Sequence, residues 1–313
     1  EFMQASWDIE EVQTKGIQQL ASFVKDKSAF PFLLKFPKVI TFAMKTHVTS
    51  LKLQLDGCRL LLEILSQALE QGVVMALDES VATCLLVTVR KHAGNEELLS
   101  LLCTVLMMVS ASEITAENLR KVGIIPDLLS ILRRFLHNDE ICFSCCGVLW
   151  SLAVSEDNAD QEVLESAVPV TSAVLQKYLQ NGAIAESACS ALWALSLQGC
   201  VTDNDYEPTT ALLLDALRMN SERAVLVKNG CLALASLLRV SEIAALTFIT
   251  DSKGNGIELI KDIYHLYFSD PGVVGAVCLL IKEMAQYDEV VLDLLSQKMD
   301  KLLTEIKIQF PFN

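Results

Sequence analysis

Residues 141–154 read ICFSCCGVLWSLAV and residues 184–197 read IAESACSALWALSL, so one pattern of cysteine, leucine and tryptophan occurs twice, 43 residues apart. Its cysteine recurs along the chain at intervals of 45, 43, 43, 42 and 47 residues, as Cys58, Cys103, Cys146, Cys189, Cys231 and Cys278. Apolar residues follow three positions later (Leu61, Leu106, Leu149, Leu192, Leu234 and Ile281) and six positions later (Ile64, Val109, Leu152, Leu195, Leu237 and Met284). Ile17, Leu20 and Phe23 continue the series upstream. Because residues at 0, +3 and +6 share one face of a helix, the pattern predicts about seven copies of one buried helix.

A second helix is predicted about 20 residues before each copy. In four copies it begins with proline, at Pro37, Pro126, Pro169 and Pro208. Proline suits the first turn of a helix, where its missing N–H costs no hydrogen bond. One such helix pair cannot bury its own apolar faces, so neighbouring copies are expected to stack into a continuous core.

The loops between copies are short and polar, as in SEDNADQE (155–162), TDNDYE (202–207) and TDSKGNG (250–256). None of them has the composition of a domain linker, and counting from Asp203 gives no EF-hand calcium loop. We therefore expect a single helical repeat domain over residues 4–313. Residues 1–3, Glu-Phe-Met, look like a cloning remnant.

Composition limits the classes of function. The chain of 313 residues has a net charge of −14 at pH 7, which argues against a nucleic-acid or anionic-membrane partner. Its longest apolar stretch, between Glu97 and Glu113, is too short and too polar to span a bilayer. Ten cysteines with no signal peptide are most simply free thiols, so an intracellular and most simply cytoplasmic location is expected.

The repeats resemble the armadillo class. VGIIPDLLSIL (122–132) is similar to the second helix of an armadillo repeat, and GVLWSLAV and SALWALSL are similar to the third helix. This resemblance implies an all-α fold, a right-handed α-solenoid of about seven armadillo-like (ARM/HEAT) repeats.

A narrower resemblance is carried by SACSALWALSLQGC, ALLLDALRMNSERAVLVKNG, LALASLLRVSEIAAL, GIELIKDIYHLYFSDPGVV and LLTEIKIQF. These segments resemble the C-terminal armadillo-like region of the vertebrate serine/threonine kinase-like domain-containing family. The resemblance implies a preceding kinase-like domain with degraded catalytic motifs, a pseudokinase. The 313 residues contain no H-R-D, D-F-G or G-x-G-x-x-G motif, so kinase activity is not expected of them.

In armadillo proteins that bind extended peptides, the third helices carry a tryptophan and, four residues later, an asparagine that grips the peptide backbone. Here the tryptophan position, four residues after each repeating cysteine, holds Trp150 and Trp193, and elsewhere Leu62, Met107, Ala235 and Lys282. The asparagine position holds Val154 and Leu197, and elsewhere Ser66, Ala111, Arg239 and Gln286. An aliphatic side chain neither donates nor accepts a hydrogen bond, so the asparagine grip is absent. Trp150, Val154, Trp193 and Leu197, together with Met107 and Leu62, are the candidate partner-binding residues; the alternative is that they pack between repeats.

Two further clusters are interpreted as structural. Cys142, Cys145 and Cys146 follow His137, but Asp139 and Glu140 would oppose thiolate formation and Cys146 falls on the repeating core position. His47, His92 and His137 recur at intervals of 45 near the ends of second helices, which favours one structural position rather than catalysis.

The function expected from the sequence is a non-enzymatic protein-interaction scaffold without a cofactor or metal. Its concave surface would dock a protein partner, either an amphipathic helix or the missing kinase-like domain. Two alternatives remain open: an armadillo receptor for extended basic peptides, and an enzyme that uses Cys142 and Cys145.

Overall fold

The computed structural model describes residues 2–24, 32, 34–154 and 161–310, so residues 155–160 of the predicted loop 155–162 lie outside the described residues. Of the described residues, 77% are helical and none lies in a strand. Seventeen helices of two turns or more account for most of the helical residues in these described ranges. Those of the first half are α1 Glu10–Val24, α2 Pro37–Thr46, α3 Leu51–Glu70, α4 Glu79–Lys91, α5 Glu96–Ser110, α6 Glu113–Lys121, α7 Ile125–Arg134 and α8 Asp139–Ala153. Those of the second half are α9 Ala167–Lys177, α10 Gly182–Leu197, α11 Tyr206–Met219, α12 Ala224–Leu238, α13 Glu242–Thr250, α14 Gly256–Leu266, α15 Pro271–Met284, α16 Asp288–Ser296 and α17 Met299–Gln309. Two shorter helical turns lie at Phe2–Ala5 and Gln161–Glu165.

The helices form two compact units, residues 1–155 and residues 156–313. In the first unit α1, α3, α5 and α8 pack one against the next, while α2, α4 and α6 form a second row. In the second unit α10, α12 and α15 pack in series beside α9, α11 and α13. Within each unit the helices thus pack in series, which is consistent with an α-solenoid. The single domain expected from the sequence stays a prediction.

The repeating face is buried as predicted. The helices α3, α5, α8, α10, α12 and α15 carry the repeating cysteines, and these are buried except for Cys278, which is half-buried. Every residue at +3 and +6 is also buried, including Leu149, Leu192 and Leu234. The upstream extension is wrong in part: Ile17 is buried, but Leu20 is half-buried and Phe23 exposed, with Val24 in the core instead. The buried side of α1 therefore includes the +7 position rather than the +6 position.

Local capping chemistry fixes where the helices begin. The four prolines lie in the first turns of α2, α7, α9 and α11, as predicted. Side-chain oxygens also cap the N-termini of α3, α5, α8, α10 and α15 by accepting from backbone N–H groups, which stabilises a helix end by about 1 kcal/mol. The capping residues are Ser50, Asn95, Asn138, Asn181 and Asp270.

The C-terminal ends of the second helices follow the same spacing. The residue at the C-cap of α2, α4, α7, α9, α11 and α14 is His47, His92, Phe135, Tyr178, Asn220 and Tyr267. The position equivalent to His47 and His92 is therefore Phe135. The expectation that His137 shares it is wrong, because the interval there is 43 residues and not 45. His137 instead lies two residues further on, with its Nε2 3.0 Å from Glu96 Oε1.

Several of these C-cap residues bond back to the preceding repeat. His92 Nε2 donates to the Val48 carbonyl at 2.6 Å, Asn220 Nδ2 to the Leu179 carbonyl at 2.8 Å, and Tyr267 Oη to the Ser221 carbonyl at 2.8 Å. In each case the acceptor immediately follows the C-cap residue of the earlier repeat. We call these bonds the straps.

Candidate partner-binding surface

The helix α8 exposes one apolar stripe. Phe143, Gly147, Trp150 and Val154 are spaced by four, three and four residues, so they lie along one side of the helix. Trp150 is 40% exposed and Val154 is 57% exposed, although both are large apolar side chains on a helix whose opposite face is fully buried. We call these four residues the α8 stripe. Its length is about 16 Å at 1.5 Å per residue.

A groove of about 590 Å³ lies at the C-terminal end of the α8 stripe. It is lined by the ends of α5 and α8 and by the first two turns of α6: Ser110, Ala111, Glu113, Ala116, Glu117, Trp150, Ser151 and Val154. The walls are thus the Trp150 indole, small aliphatic side chains and two serines, with two carboxylates on α6. A volume of this size is within the range of pockets that bind ligands.

Carboxylates also gather at the other end of the α8 stripe. A pocket of about 220 Å³ there is lined by Arg59, Glu96, Glu97, Ser100, Leu101, Asn138 and Glu140. Arg59 Nη2 lies 2.6 Å from Glu97 Oε1, and the Ser100 hydroxyl donates to Glu140 at 2.8 Å. One guanidinium therefore faces three carboxylates, and the pocket is acidic overall.

The structure places the other candidate residues in more sheltered positions. Leu62 on α3 and Met107 on α5 are half-buried, next to Ser66 and Ala111, which are exposed. In the second unit Trp193 is half-buried while Leu197 is 46% exposed. Trp150 with Val154, and Trp193 with Leu197, each share one side of their own helix, as predicted.

The same positions further along the second unit have other roles. Ala235 is buried in the core, and Lys282 is exposed. Gln286 Nε2 donates to the Leu238 carbonyl at 2.9 Å, so this residue ties two repeats together. The tryptophan and asparagine positions therefore form no continuous ladder along α12 and α15.

The cysteine cluster is enclosed in the core. Cys142, Cys145 and Cys146 are all fully buried, and Cys145 Sγ lies 3.4 Å from Cys103 Sγ on α5. The hydrogen bond to Cys103 and burial hold the pKa of the Cys145 thiol well above its ordinary value. Burial likewise raises the pKa of Cys189 and Cys231 to about 12. Thiols in this state have almost no thiolate at neutral pH, and the thiolate is the nucleophile.

Metal and membrane sites receive no support from the described residues. No group of three or more His, Cys, Asp or Glu side chains among them is arranged to hold a metal ion. None of the helices in the described ranges is both long enough and apolar enough to cross a bilayer.

A second apolar groove, of about 490 Å³, lies near the N-terminus. Trp7 and Phe42, both half-exposed, line it together with Met3, Gln13, Lys38 and Val39. The lining thus combines two large aromatic side chains with a single lysine.

Sequence analysis missed the residues that form the α8 groove on its α6 side. Glu113, Ala116 and Glu117 lie in the segment before the second helix, where the repeat pattern predicts neither helix of the pair. Their helical spacing, with two glutamates four residues apart, was the signal available. Placing them opposite Trp150 requires the packing of α6 against α8, which the pattern along one helix does not contain.

No family model matches the chain. Among solved structures the chain is similar to the crystal structure of an engineered protein, with 17% sequence identity and a TM-score of 0.54. The match covers 81% of this chain and 96% of the engineered one. At this identity the likeness concerns the helical fold alone.

Proposed function

We propose that this chain is a non-catalytic protein-interaction module that binds a protein partner on the third-helix side of residues 1–155. The observation that carries the proposal is the α8 stripe with its groove. Trp150 and Val154 are partly exposed beside a 590 Å³ groove, on a helix whose other face is packed. Tryptophan is enriched among the residues that dominate binding energy at protein interfaces.

The armadillo type supports this role. We propose a right-handed solenoid of about seven armadillo-like repeats, on the strength of the 42- to 47-residue intervals and of the segment 122–132. Stacked repeats present an extended surface that is already ordered, so little conformational entropy is lost on binding.

Non-enzymatic status is part of the same proposal. The thiols that would serve as nucleophiles, Cys142 and Cys145, are buried, and the pKa of the Cys145 thiol is raised. A Cys142→Ser variant is expected to match the wild-type protein in its rate of alkylation by iodoacetamide under native conditions. A thiol that reacts rapidly in the wild type and is lost in the variant would favour the enzyme alternative.

Site-specific photocrosslinking tests the binding surface. Benzoylphenylalanine replaces Val154 in the groove, and in the matched control it replaces Val87, an exposed valine on the second helix α4. In cell extract we expect discrete adducts from position 154 that unlabelled wild-type protein competes away and a Trp150→Ala variant does not. Equal adducts from positions 154 and 87 would contradict the proposal.

The partner favoured by the sequence resemblance is a kinase-like domain that precedes this region in the same family. We propose it as the first purified partner to add in trans. The alternative, a receptor for extended basic peptides, has weaker support. The positions that would grip a peptide backbone hold no asparagine: they are Ser66, Ala111 and Val154 in the first unit and Leu197, Arg239 and Gln286 in the second.

A further inference from the structure

The chemistry of the α8 stripe and its two ends specifies the kind of partner it fits. The inference below rests on the proposed function, because it names the partner class for the same surface. Three features carry it: the length and composition of the stripe, the charges at both ends, and the lack of groups that would hold an extended backbone.

The α8 stripe matches the side of another helix. Phe143, Trp150 and Val154 span about three helical turns, which is the length over which an amphipathic helix presents apolar anchors at i, i+3, i+4 and i+7. The groove beside Trp150 has a volume of about 590 Å³, which is large enough to accept such side chains.

The backbone of an extended peptide would find few partners along this surface. An extended segment needs donors and acceptors for its own N–H and C=O groups. Ala111 and Val154, which hold the asparagine position on α5 and α8, provide neither. A helix satisfies its backbone hydrogen bonds internally and needs only apolar contact along the stripe.

Negative charge lies at both ends of the stripe. Glu113 and Glu117 line the groove at the C-terminal end, where α5 and α8 also end and present the negative poles of their dipoles. Glu113 lies in the first turn of α6, so the positive pole of that helix offsets part of this charge. Glu117 pairs with Lys121 at 2.6 Å, but both side chains are more than half exposed, and such pairs are weak enough to exchange. At the N-terminal end, Glu96, Glu97 and Glu140 outnumber Arg59, and the positive poles of α5 and α8, in whose first turns they lie, offset part of this charge.

We infer that the α8 stripe binds an amphipathic helix whose apolar face is flanked at both ends by Lys or Arg. The apolar face covers Phe143, Trp150 and Val154, and the basic side chains reach the carboxylates at the two ends. The Trp150 indole also gives a cation a favourable ring face.

Peptide binding with matched probes tests this inference. The probe is a fluorescein-labelled, 16-residue Leu/Lys peptide with its leucines on one helical face. A Leu/Glu peptide with the same leucine positions, and a Leu/Lys peptide of the same composition with the leucines dispersed, are the comparisons. Fluorescence anisotropy at low and high salt gives the dissociation constants. Only the facially amphipathic Leu/Lys peptide is expected to bind tightly, with an affinity that falls as salt rises.

Variants locate the peptide on the surface. Trp150→Ala is expected to weaken Leu/Lys binding about tenfold or more, as for a central aromatic anchor. The double change Glu113→Gln and Glu117→Gln is expected to weaken it about threefold to tenfold and to reduce the salt dependence. The matched control, Glu10→Gln with Glu11→Gln, removes the same charge from exposed positions on α1, which α3 and α5 separate from α8, and is expected to change binding less than about twofold. Circular dichroism melting checks that every variant is folded.

A second readout uses the chain's own fluorescence. The sequence contains three tryptophans, so replacing Trp7 and Trp193 with Phe leaves Trp150 as the reporter. Binding of the Leu/Lys peptide is expected to shift its emission to shorter wavelength, because the indole passes from water into an apolar contact.

Several results would overturn the inference. One is Leu/Lys binding that Trp150→Ala leaves unchanged, and another is equal binding of the Leu/Glu peptide. A third is a concentration-dependent dimer that Trp150→Ala abolishes, since a second copy of the chain would then occupy the stripe. If the Val154 crosslinks still form while the Leu/Lys peptide fails, the basic-helix inference falls and the proposed function stands. If the crosslinks fail as well, both fall.

Discussion

The two units share one internal pattern but differ in what they show to solvent. Residues 1–155 hold 17 acidic and 14 basic side chains, a net charge of −3, whereas residues 156–313 hold 22 and 11, a net charge of −11. The first unit exposes Trp150 at a groove, while the second keeps Trp193 half-buried and fills the next tryptophan position with the buried Ala235. The buried positions are thus set by the requirement to stack, and the exposed ones differ because no packing constraint fixes them. Charge alone would have pointed to the second unit, whereas the apolar stripe points to the first.

Core leucines at equivalent positions give the largest expected effect. Leu149→Ala in the first unit and Leu192→Ala in the second should each cost about 2 to 5 kcal/mol of unfolding free energy, since both side chains are fully buried. Urea unfolding followed by circular dichroism measures the loss. Exposed Leu292→Ala in the second unit is the control, with an expected change below about 0.5 kcal/mol. A near-neutral Leu192→Ala would contradict the shared register of the two units.

Ion pairs of different exposure should contribute differently to the stability of the two units. In the second unit Arg218 bonds Asp251 at 2.5 Å and the Gly254 carbonyl at 2.7 Å, and its side chain is only 21% exposed. In the first unit Arg90 pairs with Asp127 at 2.9 Å, but it is 56% exposed. Arg218→Met is expected to cost about 1.5 to 3 kcal/mol and Arg90→Met less than about 1 kcal/mol. Equal losses of unfolding free energy in the two variants, measured by thermal or urea unfolding, would show that solvent exposure does not determine the contribution of these ion pairs.

The residue that forms a strap in one unit can be placed at the equivalent position of the other unit. His92→Ala and Asn220→Ala each remove one side-chain bond to a carbonyl of the preceding repeat, so each should cost about 0.5 to 1.5 kcal/mol. His265→Ala, an exposed histidine on α14, should be close to neutral. If the His92→Asn variant is more stable than His92→Ala in urea unfolding, the position requires a hydrogen-bond donor rather than an imidazole. No loss in either alanine variant would mean that the straps do not stabilise the stack.

The smallest expected effect concerns pH. Lys38, whose Nζ lies 2.6 Å from Asp78 Oδ2, together with the Ser80 hydroxyl lowers the pKa of the Asp78 carboxyl from 3.8 to about 2. A carboxyl whose pKa is lower in the folded state stabilises the fold above pH 4, and this stabilisation is lost as the pH falls from about 4 to 2. Because the side chain is 44% exposed, the contribution should be below about 1 kcal/mol.

In the Asp78→Asn variant, the unfolding free energy should therefore fall slightly less steeply between about pH 4 and pH 2. The asparagine side chain should still cap α4. Asp270→Asn in the second unit keeps the cap of α15 in the same way and serves as the matched variant. The comparison fails if Asp78→Asn changes stability by more than about 1 kcal/mol at pH 7, because the effect would then exceed an exposed pair.

The core could be predicted from the sequence, whereas the surface needed the structure. The spacing alone places Cys146, Leu149 and Leu152 on one helix face, because the period of apolar residues in a sequence follows the buried side of a helix. The strap positions share the same intervals but carry His, Asn or Tyr, residue types whose common feature is only a hydrogen-bond donor. Their partners are backbone carbonyls, which every residue has, so the sequence does not show which carbonyl accepts the bond. The groove beside Trp150 depends on where α6 packs, and that is a contact between segments distant in the chain.

The straps also have a direction. The acceptor carbonyl, as at Val48 or Leu179, always belongs to the earlier repeat and the donor to the later one. During synthesis from the N-terminus, a repeat that supplies a strap acceptor therefore carries a carbonyl that only water can satisfy until the following second helix has emerged. Maturation of the stack is thus expected to proceed in steps of one repeat, with the last-made edge the least protected against hydrogen exchange.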